Sequence, residues 1–169
     1  IELSRIDYQS ELLAKAELKA LQSQINPHFL FNAINTIISL TRTKPDEARR
    51  LLIHLSNYFR NNLQESEREV TLNREIETIK SYLEIEKARF GDKLNIIYNI
   101  PEGIDCSLPP LLLQPIVENA VKHGIFEKVE GGTVEIIALD NGRETELIVK
   151  DNGVGMEEEL LRSLFDGKD

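Results

Sequence analysis

His28 carries the most reactive side chain in the best-defined motif of this sequence, Asn26-Pro27-His28-Phe29-Leu30-Phe31-Asn32. An imidazole is substantially neutral at cell pH, so one ring nitrogen is free to act as a nucleophile. Asn32 follows His28 by four residues, which on a helix puts its amide on the same face. Apolar residues recur at helical spacing before the motif (Leu13, Ala16, Ala20, Leu21) and after it (Leu30, Ile34, Ile37, Ile38). The pattern predicts one long helix from about Ser4 to Thr41 with Pro27 inside it. An interior proline deletes a backbone hydrogen bond and crowds the carbonyl four residues back, here Ser23, at about 3 kcal/mol. Presenting His28 for chemistry would justify that kink. A bend needed only for packing, with His28 an ordinary surface or core side chain, is the other reading.

Two segments further on could hold a nucleotide. Asn119, Lys122 and His123 stand at i, i+3 and i+4 and share a helix face. The Asn119 amide oxygen suits a hard cation such as Mg²⁺, and Lys122 offers a point charge for phosphate. Asp151-Asn152-Gly153-Val154-Gly155 follows a β-rich run. Its glycines let backbone approach a ligand closely, and a carboxylate at a strand end can accept from an exocyclic amine. Each segment taken singly also suits an ordinary helix end or turn.

The elements that must position these groups fall into two halves. Residues 1–65 read as a helical hairpin, with Thr43-Lys44-Pro45-Asp46 as its turn and Pro45 at a first helical position. Its second helix carries the apolar stripe Ala48, Leu52, Leu55, Phe59, Leu63. A hairpin with a stripe on each helix cannot bury both alone, so a second copy is expected, giving a four-helix bundle in a homodimer. Residues 66–169 read as an α/β sandwich. A helix runs from Thr71 to about Arg89 and stops at Gly91; a strand covers Leu94–Ile100. An apolar helix covers Pro110–His123 with Gly124 as its stop, and Thr133–Asp140 and Glu144–Asp151 flank a two-residue hairpin signal at Asn141-Gly142. The polar stretch Leu63–Val70 is the expected linker. His54 reads as a residue at the border of the second helix's stripe, and Met156 as packing.

Composition narrows the partners. A net charge of −9 argues against non-specific binding to nucleic acid or to an anionic membrane face. The single cysteine, Cys106, allows neither a disulfide framework nor a zinc cluster, as in a reducing compartment. No apolar run reaches the ~18 residues a membrane helix needs; Leu108–Val117 comes nearest and is broken by Pro109, Pro110, Gln114 and Pro115. The chain begins at Ile1 with no signal-peptide pattern and is expected to be a piece of something longer.

The three motifs in this order resemble the core of bacterial sensor histidine kinases of the LytS-like class. Asn26–Asn32 resembles the family's dimerisation and phosphoacceptor helix, Tyr82–Phe90 its connecting helix, and Leu111–Gly124 its asparagine box. Asp151–Gly155 resembles the first glycine box of the gyrase/Hsp90/histidine kinase ATP-binding fold. The resemblance implies an α+β chain: a dimeric helical hairpin, then an α/β-sandwich ATP-binding domain that is C-terminally incomplete. It implies that His28 takes the γ-phosphoryl group of ATP and passes it to an aspartate of a response regulator receiver domain. Asn119 would hold Mg²⁺, Lys122 and His123 would meet phosphates or ribose, Asp151 would read the adenine amino group, and Gly153 and Gly155 would give the backbone room around the base. Asn32 would orient a water that dephosphorylates the partner. The fragment would be the cytoplasmic portion of a membrane sensor, and would not itself enter the membrane.

Three departures qualify the resemblance. Phe29, not an acidic residue, follows His28, so either the imidazole needs no base or the base lies elsewhere. Hydrolytic relatives place a water-activating glutamate four residues before the asparagine, where this chain has Pro115; that favours phosphotransfer over ATP hydrolysis, and over a gyrase-type or chaperone-type ATPase. The sequence ends at Asp169, soon after Glu157–Phe165, which reads as the start of a mobile lid, and it contains no second glycine box. That last feature keeps a second function in view, a catalytically inactive, kinase-like dimeric interaction module.

Overall fold

A computed structural model describes residues 26–63 and 69–155. The expected helix over 4–25, the linker residues 64–68, Met156 and the expected lid at 157–165 lie outside the described residues.

Helix α1 is Pro27–Leu40, and Pro27 opens it rather than bending it. Asn26 is the N-cap, with ψ at 102°, outside the helical range; its side-chain oxygen accepts from Phe29 N at 3.2 Å and its carbonyl from Leu30 N at 3.1 Å. A proline at the first helical position loses no bond, because the N–H there has no intrahelical partner anyway. The expected kink is therefore a capped helix start, and the cost of an interior proline does not arise at Pro27. After a turn at residues 41–43, helix α2 runs Pro45–Leu63, with Pro45 at its start as expected and Asp46 and Glu47 beside the positive end of the helix dipole.

The buried face of α2 is not the expected stripe. Ala48, Leu51, Leu55, Tyr58 and Asn62 are buried, while Leu52 is 53% exposed. Leu51-Leu52-Ile53 offers consecutive apolar choices, and Tyr58 and Asn62, which the sequence reading passed over, settle the rotation.

Thr71 caps helix α3 (Leu72–Phe90) through a bond from Arg74 N, and Gly91 ends it with φ at 60°. α3 is buried on several sides, because α2 packs on one flank and the sheet on another; Asn61 Nδ2 donates to Thr78 Oγ1 at 2.9 Å across the helix pair. A short ladder of β1 (Val70–Thr71) and β3 (Ser107–Leu108) ties the start of α3 to the segment before the next helix.

The main sheet has the order β2-β4-β5. β2 (Leu94–Asn99) runs parallel to β4 (Gly132–Asp140), with Leu94 opposite Gly132, and β5 (Thr145–Asp151) runs antiparallel, with Val134 opposite Asp151. Val134, Ile136 and Ala138 alternate into the core. The turn between β4 and β5 is four residues long, since Asp140 pairs with Thr145. The Asn141 side chain accepts from Arg143 N and Glu144 N, which ends the ladder earlier than a two-residue hairpin would.

The expected helix over Pro110–His123 is shorter at its start and longer at its end. Helix α4 covers only Gln114–Asn119, because Leu111 sits at φ 60°. It then widens into a π-type turn over Ala120–Ile125, so Gly124 lies within the turn and does not terminate it. Apolar side chains from α1, α2, α3, α4 and β4 form one continuous buried cluster. The molecule is thus α+β, helices followed by a mixed sheet.

Candidate nucleotide and phosphoacceptor site

The first turn of α1 leaves His28 exposed, since its neighbour Phe29 takes the inward position. Asn32 shares the face of His28: its amide nitrogen lies 3.2 Å from both ring nitrogens. Only one nitrogen of a neutral ring can accept, so the amide can serve either tautomer.

Asn119, Lys122 and His123 are all exposed on α4 and the π turn that continues it. His123 Nδ1 lies 3.4 Å from Glu127 Oε1. Among the described residues Asn119 and Lys122 make no side-chain hydrogen bond or ion pair, which leaves an amide oxygen and an ammonium open to a ligand. A π turn inside a helix is a frequent mark of a functional site, because the extra residue swings backbone away from its ordinary course.

That swing brings the π turn onto the end of β5. Val154 N donates to the Gly124 carbonyl at 3.0 Å, and Gly153 N to Asp151 Oδ1 at 2.9 Å. Asn152 is anchored from β4, where Thr133 N donates to its Oδ1 at 2.7 Å, and Lys128 Nζ donates to its carbonyl at 2.8 Å. A Cβ on Gly153 would fall on the Gly124 backbone, so Gly153 permits a contact between two strands of the chain itself. Gly155, at φ +75° with open space around it, serves a turn. Asp151 is exposed at the strand end, with Oδ1 held by Gly153.

The structure thus brings Asp151, Gly153 and Val154 against Gly124, in the π turn that also carries Lys122 and His123 and follows Asn119. His28 and Asn32 stand apart on α1; among the described residues no hydrogen bond or ion pair joins them to that group. They are linked indirectly, through buried side chains that the sequence reading missed. Phe29 packs on Tyr58 and Tyr82, with ring centroids at 4.9 Å and 5.1 Å. The Tyr58 hydroxyl donates to Glu118 Oε1 at 3.2 Å and accepts from Gln114 Nε2 at 3.1 Å, and Gln114 Nε2 also reaches Glu118 Oε1 at 2.7 Å. Burial, and then the Glu118 carboxylate, push the Tyr58 phenol well above its ordinary range. Tyr82 is raised likewise, by burial and then by Glu86. Glu86 itself is pushed up to about 7 by burial, with Arg89 at 3.7 Å opposing the rise and Glu118 adding to it.

A second missed residue holds the other end of α4. The buried Glu75 carboxylate accepts from Leu111 N at 3.2 Å, Leu113 N at 3.0 Å and Gln114 N at 3.2 Å. It satisfies the orphan donors of a helix start from outside the helix. The i, i+4 spacing of Gln114 and Glu118 was a visible signal for the first network; nothing local marks Glu75.

A mixed sheet covered by helices, with a π turn bonded to an Asp-x-Gly turn, has the architecture of an ATP-binding lobe of the GHKL type joined to a helical hairpin. Residues 16–94 match the family model "Histidine kinase", and residues 109–169 match "Histidine kinase-, DNA gyrase B-, and HSP90-like ATPase". The chain belongs to the sensor histidine kinases of the LytS-like class. It is 45% identical over 162 residues to the sensor histidine kinase YpdA of Escherichia coli (strain K12), covering 95% of this chain and 29% of that protein. It is 41% identical to the sensor protein LytS of Staphylococcus haemolyticus (strain JCSC1435), over 95% of this chain and 28% of that one. It is 40% identical to the sensor histidine kinase/phosphatase LytS of Staphylococcus aureus (strain Mu50 / ATCC 700699), over 97% and 29%. The chain therefore spans less than a third of the curated relatives it matches. Among the described residues no helix is long and apolar enough to cross a membrane.

Proposed function

We propose that this chain is the core of an ATP-dependent protein-histidine kinase that phosphorylates itself on His28 and passes the phosphoryl group to a response regulator. A ring nitrogen of His28 attacks the γ-phosphorus, the bond to the β,γ-bridging oxygen breaks, ADP leaves, and the ring proton goes to solvent. Catalysis of such a loose transition state is mostly positioning and charge neutralisation. The observation that carries this reading is an exposed His28 at the first turn of α1, in the same chain as exposed Asn119 and Lys122 and an Asp151 held by Gly153 N.

The donors present fit the nucleotide. Lys122 meets phosphate, with His123 beside it at phosphate or ribose, and Asp151 keeps Oδ2 to accept from the adenine amine while Gly153 N holds Oδ1. Gly155 gives the backbone room by the base. Among the described residues no group of three or more His, Cys, Asp or Glu could hold a metal. The exposed Asn119 amide oxygen would hold Mg²⁺, which would supply charge neutralisation at the phosphates.

A homodimer follows from the hairpin. Phe31 and Ile38 on α1 are 67% and 61% exposed, and Leu52 and Ile53 on α2 are each 53% exposed. A second copy would cover these faces in a four-helix bundle, with residues 1–65 as the dimerisation and phosphotransfer unit and 66–169 as the ATP-binding unit. The chain would be the cytoplasmic portion of a membrane sensor.

Labelled ATP and Mg²⁺ with the full-length protein test the assignment. Acid-labile label that disappears in His28→Gln and transfers to a receiver domain is expected. No label would leave the interaction-module reading, and acid-stable label would mean a different acceptor.

A further inference from the structure

We propose that Glu127 and Lys128 are positioning residues for the nucleotide, Glu127 aiming the His123 ring and Lys128 bracing the turn that carries Asp151. Both roles rest on the reading of His123 as a phosphate or ribose contact and of Asp151 as the acceptor for the adenine amine.

The two residues are consecutive, carry opposite charges, and each reaches a different nucleotide segment. Glu127 Oε1 lies 3.4 Å from His123 Nδ1, and Lys128 Nζ donates to the Asn152 carbonyl at 2.8 Å. The backbone beneath them is tied down. Phe126 N donates to the Val121 carbonyl at 3.0 Å, Lys128 N to that of Ile125 at 3.1 Å, and Gly131 N to that of Lys128 at 3.0 Å. Both side chains therefore project from a fixed turn, and the groups they hold inherit its position.

Glu127 runs against simple electrostatics. A carboxylate beside a triphosphate site repels the ligand, and its side chain is 58% exposed, so packing does not call for it there. Orienting a histidine does. A carboxylate at Nδ1 accepts the proton on that nitrogen, in the neutral ring and in the imidazolium alike, and leaves Nε2 for the ligand. Nε2 then accepts from a ribose hydroxyl or, when protonated, donates to phosphate. Lys128 acts at the base end. Asn152 is anchored to β4 by Thr133 N at its Oδ1, and the ammonium adds a second tie at its carbonyl. Asp151 is thus braced through its neighbour, while Gly153 N holds its Oδ1.

The full-length kinase, titrated with ATP and with purine riboside triphosphate, which lacks the adenine amine, tests both arms. Removing the Glu127 charge would by itself tighten ATP. Glu127→Gln should instead raise the Kd for ATP about threefold, and so should Glu127→Asp, which keeps the charge and draws it back by one methylene. In a His123→Ala background neither change should raise Kd further. Lys128→Met should lower the preference for ATP over the analogue about threefold, whereas loss of a positive charge alone would weaken both nucleotides equally. Should Lys128→Met lose its fold, Lys128→Gln reads the same ratio. An unchanged or lowered Kd in either Glu127 variant, a rise that persists without His123, or an unchanged preference overturns the proposal. Loss of fold in both variants at either position overturns it too. Wild-type protein that binds ATP but forms no phosphohistidine defeats the kinase reading alone; wild-type protein that binds no ATP defeats both.

Discussion

Gly153 packs its Cα against the backbone of Gly124: a Cβ on Gly124 would lie 2.7 Å from Asp151 Oδ1 and 3.7 Å from Gly153 Cα. The end of β5 and the π turn thus meet through two residues without side chains, and this contact sets Asp151 beside the π turn.

Gly124→Ala should therefore move the Asp151 carboxylate more than it unfolds the protein. The added methyl meets the far end of a side chain that can swing aside, so nucleotide affinity should fall about tenfold or more for a stability loss near 1 kcal/mol. Gly153→Ala differs, because its methyl meets backbone; it should cost about 1–3 kcal/mol as well as binding. Calorimetric titration with ATP, paired with thermal denaturation, separates the two patterns.

Glu75 accounts for the left-handed Leu111 and the late start of α4, since one carboxylate collects the N–H groups of Leu111, Leu113 and Gln114. Glu75→Gln keeps the shape but loses the charge and turns an amide donor toward other donors. A loss of about 2–3 kcal/mol is expected, with faster amide exchange at Leu113 and Gln114. Full protection in the variant would show that the loop holds itself.

Much of this architecture could be read from local pattern, and the misses share one cause. Thr71, Gly91 and Pro45 act through chemistry next to them in the chain, and the sequence placed the ends of α2 and α3 closely. Pro27 was misread because apolar periodicity continues through Asn26, whose capping bond only the backbone geometry reveals. The stripe on α2 was misread because its rotation depends on Tyr58 finding Glu118, sixty residues along the chain. For the same reason Glu75 and the Tyr58 network were not legible.

Asn32 holds its amide 3.2 Å from the His28 ring, where it can orient a water as well as an imidazole. We expect Asn32→Ala to reduce dephosphorylation of the receiver partner more than autophosphorylation, by about tenfold against about twofold. Both rates measured on one preparation check this; equal losses would assign Asn32 to holding the ring alone.

Glu86 should make stability fall with rising pH. Its side chain is buried, and burial, with the Glu118 carboxylate adding to it, raises its carboxyl to about 7 against the opposing pull of Arg89, 3.7 Å from Oε2. The folded protein therefore binds this proton more tightly than the unfolded chain does. The resulting stabilisation is fully present below the ordinary carboxylate range and is lost as pH rises through about 7. Glu86→Gln removes the titration while keeping the neutral shape, although it also gives up the 3.7 Å approach of Arg89. The variant should match the wild type near the acid end and exceed it in alkaline solution, by a margin on the order of 2–3 kcal/mol before that loss is subtracted. Urea denaturation from pH 5 to pH 9 reads the difference; parallel curves for the two proteins would mean that Arg89 keeps Glu86 ionised throughout.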